Sequence, residues 1–461
     1  MPFYLLNFVL VLTTNKNLLK TYITMKKNLI ILFLFISLGA FAQEIRFARI
    51  DSLLHYLYEN DKFMGSLCIR QGDEVVFKQA YGYSEATKGV RANGATKYKI
   101  GSISKTFTAT MIMQLVEEKK ILLTTKLNRF FPKIDQSDKI TIEHLLYQRT
   151  GIKDYANADA TLTDVLGKPN IKGLVLKKIE NYTSIFEPDT KHEYSNSNYF
   201  ILGLIIEKVT KKSFAENLKT RVSDKLELKN TYYSNEKTNV SNRESYSYTF
   251  NGEYWDKIDE WNNDIAFSSG GIISTPEDLT KFIHALFKGN LVTPASLELM
   301  KTLKDTYGMA LIRFPFGERK FYGHNGKIEG FESSLGYYEK DDLSISLLVN
   351  GENYSQNDIM IGILSIYYKL PYPFPNFKKL DTDLIQKYSG TFASKDIPLK
   401  IIVFEKEGNL LAQATGQPSF PLTFSREDVF VFVQAGIEIE FTSATSFVLK
   451  QGGKKFNFTK E

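Results

Sequence analysis

Apolar and polar positions along this chain switch between a helical and a strand-like period, and each switch marks an element. Ile50 to Tyr58 carries its apolar residues at helical spacing. Gly65 to Arg70 and Glu74 to Gln79 are β-rich runs on either side of Gln71-Gly72-Asp73, a turn-forming trio, and predict a hairpin. Thr106 to Glu117 predicts a largely apolar helix. Asn198 to Lys211 predicts another, burying Phe200, Leu202, Leu204, Ile205 and Val209. Thr275-Pro276-Glu277-Asp278 opens a further helix: the threonine caps, proline suits the first turn and the acids oppose the helix dipole. Ser334 to Glu339 and Leu343 to Asn350 form a late strand pair around Lys340-Asp341-Asp342, and Asp358 to Tyr368 reads as a helix. This order is α+β. It predicts an antiparallel sheet whose strands come from both ends of the domain, with helices inserted between.

Pro371, Pro373 and Pro375 break every preceding pattern and mark residues 371–380 as a linker. Beyond it, residues 381–461 carry short, evenly spaced β runs: Leu399 to Phe404, Leu410 to Gln413, Val429 to Val433, Ile437 to Phe441, Ser446 to Lys450 and Lys455 to Phe458. Such spacing predicts a small all-β sandwich or barrel domain.

At the other end, Met25-Lys26-Lys27-Asn28 precedes an apolar run from Leu29 to Leu38 and the small residues Ala40 and Ala42. Residues 25–42 therefore read as a secretory signal cut after Ala42, which predicts an exported, periplasmic or secreted protein. Residues 1–24 do not fit a signal and read as a mis-called upstream start; the alternative is a membrane anchor made of both apolar runs. The main domain is then expected over residues 43–370.

Composition narrows the chemistry. Of 461 residues, 43% are hydrophobic and 24% charged, the balance of a globular chain with a sizeable core. The net charge of +6 owes four units to Lys16, Lys20, Lys26 and Lys27; the remainder sets 54 basic against 52 acidic residues, and no basic block suggests a nucleic-acid partner. The single Cys68 excludes an internal disulfide framework. Five scattered histidines with no H-E-x-x-H pair point away from a zinc enzyme, so neither metal nor cofactor is expected.

Ser102 and Lys105 stand three apart at the head of the Thr106–Glu117 helix, on one face. A serine hydroxyl needs a base, and an amine serves as one when burial lowers its pKa. The helix N-terminus adds N–H groups for a developing oxyanion. Ser234 and Lys237 repeat the spacing in a polar stretch without an apolar helix to bury the lysine. Tyr194-Ser195-Asn196 offers a phenol and a carboxamide before a helix, although Tyr-x-Asn recurs at Tyr58, Tyr155 and Tyr233. His324-Asn325-Gly326, set before the late hairpin, is the only His-x-Gly, while Arg149-Thr150-Gly151 is a rival for a Lys-Thr-Gly element.

In that order, Ser102-x-x-Lys105, Tyr194-Ser195-Asn196 and His324-Asn325-Gly326 resemble the motifs of the β-lactamase-related serine hydrolases, which include class C β-lactamases, DD-peptidases, D-aminopeptidases and esterases. The flanking segments Gly65 to Gly82, Ile140 to Gly151 and Gly270 to Leu279 are similar too, and the likeness covers roughly Ile50 to Leu370. It implies a β-lactamase/transpeptidase-like antiparallel sheet flanked by helices, with an all-helical region, followed by an accessory β-barrel domain. It also implies roles. Ser102 is acylated, Lys105 and Tyr194 share its proton, and Tyr194 activates the deacylating water. Asn196, His324, Asn325 and Gly326 bind substrate, and the backbone N–H groups of Ser102 and Lys327 form the oxyanion hole.

Two departures stand out. His324 replaces the lysine of β-lactamases, which weakens the anchor for a substrate carboxylate, although Lys327 is a possible substitute for its charge. Tyr147-Gln148-Arg149-Thr150-Gly151 lacks the His and Ser that relatives often carry before the glycine, a structural difference. The expectation is an exported serine hydrolase acting through an acyl-enzyme on a small peptide (D-amino-acid-containing or not), amide or ester. The alternatives are a β-lactamase or a noncatalytic binder of β-lactams or cell-wall fragments. Oligomeric state is not legible, and membrane contact is expected only through the signal or an uncleaved N-terminus.

Overall fold

Two strands buried on both faces organise the main unit. In the computed structural model, β1 (Phe63–Gln71) and β6 (Leu343–Glu352) lie side by side and are buried along almost their whole length. Central strands covered by helices on both faces have this uniform burial, where a half-exposed strand would alternate. The structure describes residues 20–22, 24–26, 45–156, 167–377, 382–406, 409–417, 419–432 and 435–461. The predicted signal over 25–42 and the upstream segment 1–24 therefore lie, apart from residues 20–22 and 24–26, outside the described residues. Two compact units divide the chain, Met1–Leu370 and Pro371–Glu461.

In the first unit, β2 is Glu74–Tyr81, β3 Ile312–Phe316, β4 Arg319–Ile328 and β5 Phe331–Tyr338. The antiparallel order is β3-β4-β5-β6-β1-β2, so the opening hairpin docks against the last strand and the sheet does draw on both ends of the domain. Tyr248–Phe250 and Trp255–Lys257 extend it to eight strands. A helix over residues 45–59 (α1), α4 (Pro276–Phe287) and α5 (Gln356–Tyr367) belong to this layer, and α4 packs on β1, β5 and β6. Thr275 caps α4 by accepting from Asp278 N, with Pro276 in the first turn.

Between β2 and β3 lies the helical region around α2 (Ser104–Glu117) and α3 (Asn196–Thr210), which pack on one another and on the short helix Phe267–Gly270. Every residue of α2 from Ser104 to Leu115 is buried. Its hydroxyls find partners: Thr106 Oγ1 donates to Ala310 O at 3.0 Å, and Thr108 Oγ1 to Ser268 O at 2.8 Å.

The late hairpin is part of a longer run, because β3 and β4 precede it. Pro315, Gly317, Gly323 and Gly326 disguise these strands in the sequence. Pro315 is tolerated because β3 is an edge strand. His324-Asn325-Gly326 does precede that hairpin, and it lies inside a strand of its own, β4.

Among its described residues the C-terminal unit is built mainly of β-strands, preceded by the helix Thr382–Tyr388. Its strands are β7 (Gly390–Ser394), β8 (Lys400–Lys406), β9 (Asn409–Ala414), β10 (Phe420–Pro421), β11 (Thr423–Arg426), β12 (Val429–Phe432), β13 (Ile437–Ser443), β14 (Ser446–Gln451) and β15 (Lys454–Lys460). They form one curled sheet, a half-barrel, in the order β10-β9-β8-β7-β15-β14-β13-β12-β11, with first and last strands paired at its centre. Phe392, Phe430, Phe441, Phe447 and Phe458 fill its core, the last two stacked with ring centroids 4.9 Å apart.

Helix α3 can approach Phe267–Gly270 closely because it carries Gly203. A Cβ there would lie 2.0 Å from Ser268 Oγ and 2.4 Å from Ser268 Cβ. Gly203→Ala is therefore expected to destabilise the protein by about 1–3 kcal/mol, as overpacking of a filled core does. Thermal denaturation against wild type measures this as a lowered Tm.

Candidate active site

Two glycines set the spacing on which the site is built. Gly101, at φ +49°, opens the turn that carries Ser102, and a Cβ on it would lie 2.7 Å from Lys327 N. A Cβ on Gly326 would meet Ile100 O at 2.2 Å and Ser102 N at 2.8 Å. The Asn325-Gly326 pair is thus not the hairpin turn its composition suggests; the glycine lets β4 press against the turn ahead of α2. Ser333 Oγ on β5 closes the contact by donating to Ile100 O at 2.8 Å.

Ser102 Oγ lies 2.9 Å from Lys105 Nζ and accepts from Tyr194 OH at 2.8 Å. Lys105 Nζ also donates to Asn196 Oδ1 and to Ser269 O, each at 2.8 Å. Lys105 is fully buried and touches only neutral oxygens. Burial is the larger influence and holds its pKa down at about 7, against the opposing pull of the Asp154 charge. Tyr194 is pushed well above the ordinary phenol range, chiefly by burial, so it is a neutral phenol at physiological pH.

Asp154 was not singled out by the sequence. Its Oδ2 accepts from Asn196 Nδ2 at 3.0 Å, and its Oδ1 accepts from the backbone N–H groups of Asn196 (3.1 Å) and Ala156 (3.0 Å). With its amide nitrogen held there, Asn196 must turn its oxygen to Lys105. The loop leading to Asp154 is fixed from below. Gln148 Oε1 accepts from Asn198 Nδ2 at 2.6 Å and Ser195 N at 3.2 Å, and Thr150 Oγ1 donates to Asn198 Oδ1 at 2.6 Å. Gln148 and Thr150 of the unusual Tyr147–Gly151 stretch thus brace the segment that carries Tyr194. The local sequence Lys153-Asp154-Tyr155 carries no signature of this role.

His324 is buried behind the site. Its Nδ1–H donates to Asn325 O at 2.5 Å, so Nε2 accepts from Tyr307 OH at 3.0 Å. Burial, followed by the nearby Lys105 charge, pushes its pKa down to about 3, so the ring is neutral at any ordinary pH. Alternation along β4 sends the side chains of Asn325 and Lys327 to the opposite face from His324. Asn325 there lines a separate cavity with Glu332, Glu352 and Gln356, and the Lys327 ammonium pairs with Glu332. The structure does not bring the Asn325 side chain or the Lys327 charge to Ser102. It does bring the Lys327 backbone. Ser102, Asn196 and Lys327 line one cleft of about 270 Å³, walled by Tyr155, Trp261, Ile265, Ala266 and Glu329.

The rival motifs lie elsewhere. Ser234 Oγ accepts from Glu236 N in an exposed stretch, and Arg149 is ion-paired with Asp189 and Asp305.

Comparison with known proteins identifies the family to which the chain belongs. Residues 60–362 match the family model described as Beta-lactamase. The chain is 26% identical over 445 residues to Penicillin-binding protein 4* of Bacillus subtilis, covering 88% of this chain and 97% of that protein. It is 27% identical over 328 residues to a teichoic acid D-alanine hydrolase of Staphylococcus aureus, covering 68% of this chain and 76% of that one. Among solved structures, D-amino acid amidase from Ochrobactrum anthropi SV3 superposes with a TM-score of 0.62 at 24% identity, over 69% of this chain and 97% of that chain. The octameric penicillin-binding protein homologue from Pyrococcus abyssi gives a TM-score of 0.65 at 22% identity, over 90% of this chain and 99% of that one. The chain belongs to the beta-lactamase family, and within it to the serine hydrolases of the β-lactamase and penicillin-binding-protein type.

Proposed function

We propose that this protein is an exported hydrolase that opens esters and amides of D-amino acids through an acyl-enzyme on Ser102. The observation that carries the reading is the contact of Ser102 Oγ with both a buried amine and a neutral phenol. At neutral pH a large share of Lys105 is the free amine. Its lone pair takes the Ser102 proton as Oγ bonds to the substrate carbonyl carbon. The carbonyl oxygen becomes an oxyanion facing the N–H groups of Ser102 and Lys327. Collapse breaks the bond to the leaving group, which receives a proton relayed from Lys105 through the Tyr194 phenol. Water then attacks the acyl carbon and loses its proton along the same relay, and Ser102 is regenerated. Tyr194 acts as a relay because a phenol held so far above its ordinary pKa is a poor resident base. Asn196, oriented by Asp154, holds an amide substrate by accepting from its N–H through Oδ1.

Charge argues for the substrate class. Among the described residues around the cleft, Lys327 pairs with Glu332, Lys99 with Glu329, and His324 is neutral, so no free cation other than Lys105 awaits a carboxylate. Relatives whose names specify D-alanine hydrolysis and D-amino acid amide cleavage point to the same acyl groups. Export rests on residues 25–42.

Four outcomes are expected. An activated ester or fluorescent penicillin adds one covalent equivalent to wild type, read by intact mass, and none to Ser102→Ala, whose hydrolysis falls at least about 1,000-fold; undiminished turnover by that variant would refute the assignment. The acid limb of kcat/KM has its midpoint near pH 7, set by Lys105. Asp154→Asn removes a charge that favours the ammonium, so the limb moves to lower pH while turnover drops; a shift to higher pH contradicts the scheme. Substrates with a free carboxylate on the leaving group gain less than about threefold in kcat/KM over their amides at pH 8, because a solvent-screened charge without a partner adds little.

A further inference from the structure

One buried oxygen joins three walls of the cleft. Glu329 sits in the two-residue turn between β4 and β5, at φ +52°, a conformation usually left to glycine or asparagine. Charged side chains at turns normally face water. Here the Glu329 side chain is 1% exposed and its partner Lys99 6%. Oε1 accepts from Lys99 Nζ at 2.7 Å and from the backbone N–H of Trp261 at 2.8 Å, while Lys99 Nζ also reaches Trp261 O at 3.5 Å. Lys99 stands three residues before Ser102, Glu329 two residues after Lys327, and Trp261 lines the cleft beside them. A positive φ at this place serves the two-residue turn itself, but a buried ion pair carries a cost and is not needed to close a hairpin.

We propose that Glu329 is a positioning residue. Its carboxylate, tied to Lys99 and to the Trp261 backbone, holds the Lys327 N–H at a set distance from the Ser102 N–H and keeps the Trp261 wall against the substrate. The proposal rests on the reading of those two N–H groups as the oxyanion hole. Glu329 itself exchanges no proton with substrate. It acts through the backbone on either side of the developing oxyanion, where a displacement of about 1 Å is enough to cost roughly 100-fold in rate.

The test compares turnover per active site, with functional sites counted by the burst of p-nitrophenol from a p-nitrophenyl ester. Glu329→Ala cuts both ties and is expected to lower kcat per titrated site about 10–100-fold with KM changed less than about threefold. A boronic acid that forms a tetrahedral adduct on Ser102 should lose affinity in step with kcat. Glu329→Gln keeps an acceptor oxygen for both partners and should recover most of the turnover. A structural role alone would reduce the number of functional sites and leave kcat per site untouched. Wild-type kcat per site in Glu329→Ala, or a Gln variant as impaired as the Ala variant, overturns the proposal. If Glu329→Ala fails to fold, Lys99→Met cuts one tie and should show a fall of about 3–10-fold; wild-type turnover there overturns it equally. The Ser102 assignment is judged separately, by whether wild type forms the covalent adduct.

Discussion

An amine shut away from water with only neutral oxygens in contact is the constraint that the rest of this site serves. A buried ammonium is costly unless a counter-charge touches it. Around Lys105 the contacts are a hydroxyl, a carboxamide oxygen and a peptide carbonyl, and the nearest carboxylate, Asp154, acts from behind Asn196. The result is a lysine balanced between its two protonation states at about neutral pH. A direct carboxylate partner would have fixed it as a permanent cation, and a wholly apolar surround would have left it without hydrogen bonds. The scaffold achieves the intermediate condition by burying α2 along most of its length and giving its hydroxyls carbonyl partners.

His324 is subject to the same seclusion with the opposite result. A ring that donates to its neighbour's carbonyl and accepts from Tyr307 has no nitrogen left for an anion, and the charge of Lys105 further opposes its protonation. Replacing a cationic residue with a histidine here changes more than charge strength. It removes the cation, and the strand's alternation prevents Lys327 from taking its place, because that side chain emerges on the other face. The charge that the cleft presents therefore depends on where β4 places its side chains as much as on which residues it carries.

Much of this was legible in the chain. Local periodicity marks α2, α3, the start of α4 and the two hairpins to within a few residues, and the order of three short motifs marks Ser102, Lys105, Tyr194 and Asn196, which hydrogen-bond with one another, but not the outward turn of Asn325. Where the reading failed, a non-local contact had overruled a local signal. Strands β3 and β4 are absent from the sequence reading because Pro315, Gly323 and Gly326 interrupt their β texture, yet these residues lie in strands where neighbouring backbone requires a missing side chain or the sheet ends. In the C-terminal unit the short strands β7, β10 and β11 escaped notice because runs of two to five residues carry little period. Asp154 and Glu329 went unremarked for a related reason. Each acts through partners 42 to 230 residues away, and nothing in its immediate neighbours records that distance.

The pairing of β1 with β6 has a consequence for how the molecule comes into being. Phe63 meets Glu352 and Gln71 meets Leu343, so the central ladder cannot close until nearly the whole unit has left the ribosome. Closing so long a loop is slow, since its entropy must be lost before the ladder repays it. During that interval the opening hairpin lacks the neighbour that covers its inner edge, and it waits until the final strand of the unit arrives.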